Sequence, residues 1–178
     1  MTVKNVIMDE QGVGRTLTRL AHEILERNRG ASNLAIVGIR SRGDSLARRL
    51  GELIDRIETT SVPIGVLDIS FYRDDLRRRL KLPEVRSTDI PFPIDDRDVI
   101  LVDDVLFTGR TIRAALDALM DIGRPASVQL AVLVDRGRRE LPIQPDFAGR
   151  IIPTSPGEVV RVHAKEIDGE DAVLLVEE

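Results

Sequence analysis

The segment VILVDDVLFTGRT, residues 99–111, runs from an apolar stretch into two adjacent carboxylates and then into a turn of small residues. The apolar stretch predicts a buried strand, and the residues after Thr111 carry the spacing of a helix. Asp103 and Asp104 stand side by side where the strand is expected to end, and two like charges there cost free energy unless a ligand compensates them. The alternative is that the pair merely begins a loop and that Thr108 or Thr111 caps a helix.

The turn after the acidic pair has the composition of an anion-binding site. Thr108-Gly109-Arg110-Thr111 would present unpaired backbone N–H groups at the positive end of a helix dipole, and Gly109 would let a ligand approach closely. A phosphate fits such a turn, but the neighbouring carboxylates would repel it unless the ligand also offers hydroxyl groups or brings a divalent cation. A sugar phosphate with magnesium meets both requirements. Neither GxxxxGK[ST] nor GxGxxG occurs in the sequence.

Helices and strands alternate on both sides of this segment. Hydrophobic periodicity predicts helices over 11–29, after the loop RSRGD from Leu46 to Ile57, and over 111–122, and strands over 34–39, 62–70, 99–102 and 127–135. Because parallel strands need crossover connections, this order predicts an α/β fold with a central, mostly parallel sheet flanked by helices. Ligands of such sheets bind at the carboxyl ends of the strands, where the loops RSRGD, DDVLFTGRT and DRGRRE emerge.

Length and composition predict a single domain over residues 1–178. The chain is 42% hydrophobic and 31% charged, which suits one compact core. The absence of cysteine excludes disulfides and thiolate nucleophiles. No apolar stretch of about 18 residues and no signal peptide is present, so we expect a cytoplasmic protein without membrane contact. A net charge of −4 argues against nonspecific attraction to nucleic acid but leaves a local basic face open.

Two segments depart from the alternating pattern. Residues 71–97 are too long for an ordinary connection and contain three prolines, which predicts a flexible active-site loop or hairpin. Residues from about 140 to 178 alternate short apolar pieces with Pro-Gly and Asp-Gly turns, which predicts a small appended β-rich element, here called the hood.

The acidic pair followed by the Thr-Gly turn resembles the phosphoribosyl pyrophosphate motif of type I phosphoribosyltransferases. The stretches TLTRLAHEILERN, VGIRSRG, DISFYRDDL, GRPASVQLAVLVDRGRRELPI and IPTS extend the likeness, and essentially the whole chain resembles the PyrR family. The resemblance implies a type I phosphoribosyltransferase fold and a uracil phosphoribosyltransferase that also regulates pyrimidine biosynthesis genes by UMP-dependent RNA binding. The implied partners are uracil, phosphoribosyl pyrophosphate, UMP and pyrimidine operon mRNA, with Mg²⁺ held mainly by the substrate and with assembly as a homodimer or homotetramer.

The resemblance also implies residue roles. The acidic pair would hold the ribose hydroxyls, the turn from Thr108 to Thr111 the 5′-phosphate, and the loop from Arg40 to Gly43 the pyrophosphate. The complete set for phosphoribosyl pyrophosphate is Val99, Ile100, Leu101, Val102, Asp103, Asp104, Val105, Leu106, Phe107, Thr108, Gly109, Arg110 and Thr111, with Arg40, Ser41, Arg42 and Gly43. Implied catalytic residues are Asp103, Asp104, Arg42 and Arg73. Uracil would be read by backbone groups around Val134, Asp135 and Arg136, and Tyr72, Arg73, Asp74 and Asp75 would lie on the loop that closes over the substrate. No side chain is expected to bind the metal directly.

The RNA contacts implied by the resemblance are Thr18, Arg19, His22 and Arg27 on the first helix, with Arg138, Arg139 and Arg150 further along. Periodicity alone describes the same helix face as ordinary solvated surface. The chain departs from the family at Phe107, Arg138 and Gln144, where the family has tyrosine, histidine and a basic residue. Purine-using relatives place a carboxylate near Phe107, so its apolar ring disfavours a purine. Two alternatives stay open: an RNA-binding nucleotide sensor with little catalysis, and a phosphoribosyltransferase without RNA regulation.

Overall fold

A computed structural model describes residues 2–70, 72 and 88–177. The elements in chain order are β1 (Thr2–Met8), α1 (Glu10–Asn28), β2 (Leu34–Ile39), α2 (Gly43–Glu58), β3 (Ile64–Leu67), β4 (Asp98–Leu106), α3 (Arg110–Ile122), β5 (Ser127–Asp135), β6 (Phe147–Ile151), β7 (Glu158–His163), α4 (Lys165–Asp168) and β8 (Ala172–Glu177). Arg73, Asp74 and Asp75 of the expected active-site loop lie outside the described residues.

The main sheet has five parallel strands in the order β3-β2-β4-β5-β6. One hydrophobic cluster packs α1 and α2 on one face of this sheet, and a second cluster packs α3 on the other face. Every residue of β2 is buried, as expected for a parallel strand that is covered on both sides. The predicted α/β architecture with a central parallel sheet is therefore confirmed.

The central strand β4 is longer than predicted, because it continues through the acidic pair instead of ending before it. Asp103 lies opposite Val132 in the ladder with β5, and Leu106 lies opposite Asp135. Backbone pairing with β5 continues along β4 as far as Leu106. The acidic pair therefore occupies a rigid strand rather than a loop.

A second sheet has three antiparallel strands in the order β1-β8-β7 and, with α4, forms the hood. Its composition differs from the predicted segment 140–178 in two ways. Phe147–Ile151 pairs in parallel with β5 and is the edge strand of the main sheet. The hood instead gains β1 from the amino terminus, whose first five residues are exposed and so carry little hydrophobic signal.

The described end of the segment 71–97 is anchored to the rest of the molecule at two points. Asp89 and Val66 exchange two backbone hydrogen bonds of 2.8 Å in an isolated antiparallel bridge. Ile94 is only 1% exposed and belongs to the cluster beneath α3. An isolated bridge and one core side chain therefore anchor residues 88–97, while the flexible active-site loop over 71–97 stays a prediction.

Candidate active site

A cavity of about 390 Å³ lies between the hood and the carboxyl ends of the main-sheet strands. Arg42 enters it from the β2–α2 loop and Asp104 from β4, while the hood contributes five residues: Val160, Arg161, Val162, His163 and Asp168. The carboxyl-end position agrees with the expectation for parallel sheets. Charged groups of both signs line the cavity, which suits a ligand that carries phosphate and hydroxyl groups.

The two members of the acidic pair have different surroundings. Asp103 is 5% exposed and accepts a 2.9 Å hydrogen bond at Oδ1 from the N–H of Asp104. Asp104 lines the cavity and accepts a 2.8 Å bond at Oδ1 from the N–H of Val105. Burial raises the pKa of Asp104, and the backbone bond from Val105 and the positive charge of Arg42 offset this only in part. Asp104 is therefore a desolvated carboxyl group that faces the cavity.

The apolar half of the motif supports the site from the core. Ile100 and Val102 belong to the cluster under α1 and α2, and Val99 and Leu101 to the cluster under α3. Their side chains are at most 2% exposed, so they do not contact a ligand in the cavity. Alternating strand side chains point to opposite faces, and both faces here are covered by helices.

The turn between β4 and α3 has the geometry of an anion site. Gly109, the N-cap residue of α3, adopts φ +92°, a conformation that L side chains rarely adopt, and having no side chain it makes no capping hydrogen bond of its own. Thr108 Oγ1 accepts a 3.2 Å bond from the N–H of Arg110. The first turn of α3 contains no acidic residue, so its backbone donors and dipole face no competing charge there.

The loop after β5 supports this turn. The N–H groups of Glu140 and Leu141 both donate to the carbonyl of Thr108, at 2.9 and 3.1 Å. Arg110 Nε donates to Glu140 Oε2 at 2.6 Å, so the Arg110 side chain contacts the supporting loop. These contacts fix the turn before any ligand arrives, which lowers the cost of ordering it on binding.

The loop from Arg40 to Gly43 follows β2 and begins α2. The Arg40–Ser41 peptide bond is cis and Arg42 has φ +68°. A Cβ atom at Gly43 would lie 2.6 Å from the carbonyl oxygen of Val102, so only glycine lets this loop approach β4. The Arg42 guanidinium donates from Nε and Nη2 to the two carboxylate oxygens of Asp168, at 3.1 and 2.8 Å. The structure therefore brings the predicted pyrophosphate loop against both Asp104 and the hood.

The residues expected to read uracil lie at the end of β5. Val134 is buried in the core, and the N–H of Arg136 donates to the carbonyl of Leu106 at 3.0 Å. Arg136 is 6% exposed, and its guanidinium carbon lies 3.9 Å from the ring centroid of Phe107. Its Nη2 donates to the carbonyl of Glu158 at 2.6 Å. The buried guanidinium of Arg136 therefore packs on one face of the Phe107 ring and also links the main sheet to β7.

Tyr72 is the described residue of the expected closing loop. Its hydroxyl donates to Asp121 Oδ2 at 2.7 Å near the carboxyl end of α3. This hydrogen bond raises the pKa of Tyr72. Asp121 follows Arg110 by eleven residues, or roughly 16 Å of helix at 1.5 Å per residue. Tyr72 thus contacts the end of α3 opposite the turn from Thr108 to Thr111.

All of the predicted RNA contacts except Arg139 are exposed: Thr18, Arg19, His22, Arg27, Arg138 and Arg150. Three of these also make contacts within the chain. Thr18 donates to the carbonyl of Gly14, Arg19 bonds Glu23 and the carbonyl of Gly149, and Arg27 pairs with Asp146. Arg139 is 16% exposed and grips Asp135 with both Nη atoms while it also donates to the carbonyls of Phe107 and Ile143. Arg139 therefore contacts the backbone just before the turn from Thr108 to Thr111.

Three polar residues of the cavity were not predicted from the sequence: Arg161, His163 and Asp168. The first two alternate along β7, where the pattern EVVRVHA reads as an ordinary half-exposed strand. Asp168 ends a single helical turn. Only the packing of the hood over β4 brings them to the site, so local sequence carries no signal for them.

Two findings concern the described residues alone. No helix there is long and apolar enough to cross a membrane. The same part of the chain contains no group of three or more histidine, aspartate or glutamate side chains arranged to hold a metal ion.

The fold and the cavity define a class that sequence comparison also identifies. The family model of the phosphoribosyl transferase domain matches residues 5–167. Hypoxanthine phosphoribosyltransferase of Trypanosoma cruzi has the same fold, with a TM-score of 0.74 at 17% identity over 98% of this chain and 97% of that one. A hypoxanthine-guanine phosphoribosyltransferase of Bacillus anthracis matches with a TM-score of 0.72 at 20% identity over 99% of both chains.

Much closer sequence relatives specify the family within this class. The bifunctional protein PyrR of Pelotomaculum thermopropionicum is 56% identical over 174 residues, which are 98% of this chain and 96% of that protein. Bifunctional protein PyrR of Bacillus subtilis is 55% identical over 179 residues and 99% of each chain. The chain belongs to the PyrR family of phosphoribosyltransferase-domain proteins.

Proposed function

We propose that the protein transfers the phosphoribosyl group from phosphoribosyl pyrophosphate to uracil, forming UMP and pyrophosphate. The observation that carries this proposal is the cavity that both Arg42 and Asp104 line. The turn from Thr108 to Thr111 follows Asp104 at the end of the same strand, β4. These groups match the three polar parts of phosphoribosyl pyrophosphate. The Arg42 cation suits the pyrophosphate, the Asp104 carboxyl group the ribose hydroxyls, and the turn the 5′-phosphate. The bifunctional PyrR relatives support the assignment.

The reaction needs positioning and charge stabilisation more than covalent catalysis. The bond between the sugar and pyrophosphate breaks, the sugar becomes carbocation-like, and a uracil nitrogen captures it and loses its proton. The turn from Thr108 to Thr111 would hold the 5′-phosphate, Asp104 the ribose hydroxyls, and Arg42 the charge that develops on pyrophosphate. Mg²⁺ enters as part of the substrate, bound to pyrophosphate. The hood covers the cavity, and excluding water matters because water would capture the same sugar cation.

Uracil rather than a purine is the proposed acceptor. The apolar ring of Phe107 stands where a purine-specific site would need a carboxylate, and Arg136 covers the back of that ring at 3.9 Å. We expect the protein to form UMP from uracil and to use hypoxanthine or guanine at least about a hundredfold less efficiently, a difference of roughly 2.7 kcal/mol in transition-state binding. Comparable kcat/KM values for uracil and a purine would contradict this acceptor.

We further propose that the protein binds pyrimidine operon mRNA when UMP occupies the cavity. Thr18, His22, Arg138 and Arg150 are exposed and can reach RNA phosphates or unstacked bases. The decisive experiment runs a uracil transfer assay beside RNA gel shifts with and without UMP. Transfer with UMP-dependent RNA binding supports the full proposal, RNA binding without transfer supports a nucleotide sensor, and transfer without RNA binding supports an enzyme alone.

Assembly as a homodimer or homotetramer is also proposed. Several large apolar side chains are more than half exposed in the single chain: Val3, Val6, Met120 and Ile151. Exposed apolar groups of this size are common at subunit interfaces. Light scattering should give a mass of two or four times 19.8 kDa, and a monomer at micromolar concentration would contradict this expectation.

A further inference from the structure

We propose, on the basis of the phosphoribosyl transfer proposed above, that Asp168 is a positioning residue that orients the Arg42 guanidinium toward the leaving pyrophosphate. Asp168 lies in the hood and Arg42 in the β2–α2 loop, 126 residues apart in the chain. Their side chains are 19% and 30% exposed, so the pair is partly shielded from solvent. Both side chains line the cavity that holds Asp104.

The geometry of the contact selects one edge of the guanidinium. Asp168 Oδ2 accepts from Arg42 Nε at 3.1 Å and Oδ1 accepts from Nη2 at 2.8 Å. This side-on pairing leaves Nη1, which carries two N–H donors, on the opposite side of the guanidinium. An arginine held by one edge presents its remaining donors in a fixed direction. A developing negative charge gains most from donors that are already oriented.

Both ends of the pair are fixed by other contacts. The Asp168 carboxylate also accepts a 2.8 Å bond from the N–H of Ala164. The carbonyl of Arg42 accepts the N–H of Leu46 at 3.0 Å as α2 begins. Only the side-chain torsions of Arg42 are left to be restrained, and Asp168 restrains them.

Other ion pairs hold α4 against the rest of the molecule. Arg49 of α2 binds Glu166 at 2.6 Å and Asp171 at 2.7 Å, and Lys165 reaches Glu10 of α1 at 3.1 Å. Losing the Asp168 contact therefore leaves α4 anchored through Arg49 and Lys165. The contribution of Asp168 to Arg42 can be tested separately from the stability of the hood.

A carboxylate beside a pyrophosphate site could have the opposite effect. Asp168 would then compete with pyrophosphate for Arg42, and its removal would strengthen substrate binding. The two roles predict changes of opposite sign, so kinetics distinguish them.

The test compares Asp168→Asn with Glu166→Gln, which removes a neighbouring ion pair of α4 without contacting Arg42. We expect Asp168→Asn to lower kcat for UMP formation about tenfold while KM for uracil changes less than about twofold. Glu166→Gln should keep the parental kcat. In an Arg42→Ala background, Asp168→Asn should change kcat/KM by less than about twofold, because its effect passes through Arg42. Asp168→Glu, which retains the charge but displaces it by one methylene, should also lower kcat if Asp168→Asn does not fold.

Each contrary result overturns the role. A kcat for Asp168→Asn equal to that of Glu166→Gln would leave Asp168 as a structural contact only. A lower KM for phosphoribosyl pyrophosphate would show competition instead of positioning. Full additivity with Arg42→Ala would show that Asp168 acts by another route. A parent protein that forms no UMP would overturn the proposed function itself, which separates that failure from these three.

Discussion

At the scale of single residues, the buried carboxyl group of Asp104 lowers the free energy of unfolding when it is ionised. Burial raises its pKa, so the folded state binds the Asp104 proton more tightly than the unfolded chain does. Between the ordinary value of 3.8 and the raised pKa, stability therefore falls as pH rises. At neutral pH the fold carries the part of this desolvation cost that the Val105 hydrogen bond and the charge of Arg42 do not offset.

Replacing the Asp104 carboxylate by a neutral amide should lower activity and raise stability. We expect Asp104→Asn to cut UMP formation at least about tenfold, or about 1.4 kcal/mol of transition-state stabilisation. Its Tm should rise at pH 7, by about 2–4 °C if the removed cost is about 1 kcal/mol. The Tm difference should shrink as pH is lowered toward the ordinary aspartate range. Asp117→Asn, at an exposed position on α3, is the control and should change neither property; unaltered transfer by Asp104→Asn would refute the role of this carboxyl group.

The sequence located the candidate site residues that lie on the loops after the predicted strands. The loop from Arg40 to Gly43 follows β2 and Gly109 follows β4, as predicted, whereas the acidic pair lies within β4 rather than after it. The sequence could not predict Asp168 or His163, because their proximity to Asp104 depends on how the hood folds over β4. The contact of Arg136 with Phe107 is also tertiary, since 29 residues separate them and neither pattern signals the other.

At the scale of elements, the loop between β5 and β6 holds the turn from Thr108 to Thr111 in place through hydrogen bonds to its backbone. Burial disfavours ionised Asp135, but its hydrogen bonds with Arg139 and Gly137 hold its pKa below the ordinary value. A lowered pKa means that the pair stabilises the fold above the ordinary aspartate range and that this stability is lost as pH falls through the folded pKa. The same arginine fixes the carbonyls of Phe107 and Ile143.

Removing Arg139 should therefore loosen this support. We expect Arg139→Ala to lower the free energy of unfolding by about 1–3 kcal/mol, because it leaves a shielded carboxylate and two carbonyls without their donor. The loss should diminish in acid, where Asp135 becomes protonated in the parent too. Arg113→Ala removes an exposed pair with Asp117 of 3.4 Å and should cost far less. Equal denaturation midpoints for the two variants would contradict the supporting role of Arg139.

The sequence predicts strands well where most of their residues are buried, and less well where they lie at the edge of a sheet. The fully buried β2 begins and ends where its apolar run does, and β5 matches its predicted range of 127–135. The strands β1 and β6 are edge strands with several exposed residues, so their hydrophobic patterns are weak. Which sheet an edge strand joins depends on its partners, which is why β6 was expected in the hood and belongs to the main sheet.

At the scale of the whole molecule, the candidate RNA surface and the cavity occupy different places. Val13, Leu17 and Ile24 turn the apolar face of α1 toward the main sheet, and Thr18 and His22 are exposed. Arg19 of the same helix bonds the carbonyl of Gly149, so α1 lies beside the edge strand that carries Arg150. None of these residues lines the cavity. Variants should therefore separate RNA binding from catalysis.

The clearest variants are His22→Ala and Arg150→Ala, because both side chains are exposed, whereas Arg19 also anchors β6. We expect each to weaken RNA binding in the presence of UMP and to keep uracil transfer at the parental rate. If Arg150 contacts a phosphate of single-stranded RNA, its loss should reduce the log–log salt slope of affinity by roughly 0.7. Arg48→Ala, an exposed arginine on α2, is the matched control for lost charge and should alter neither activity. If all three variants bind RNA like the parent, the α1–β6 face is ordinary solvated surface; if His22→Ala or Arg150→Ala also abolishes transfer, the two surfaces are coupled through the fold.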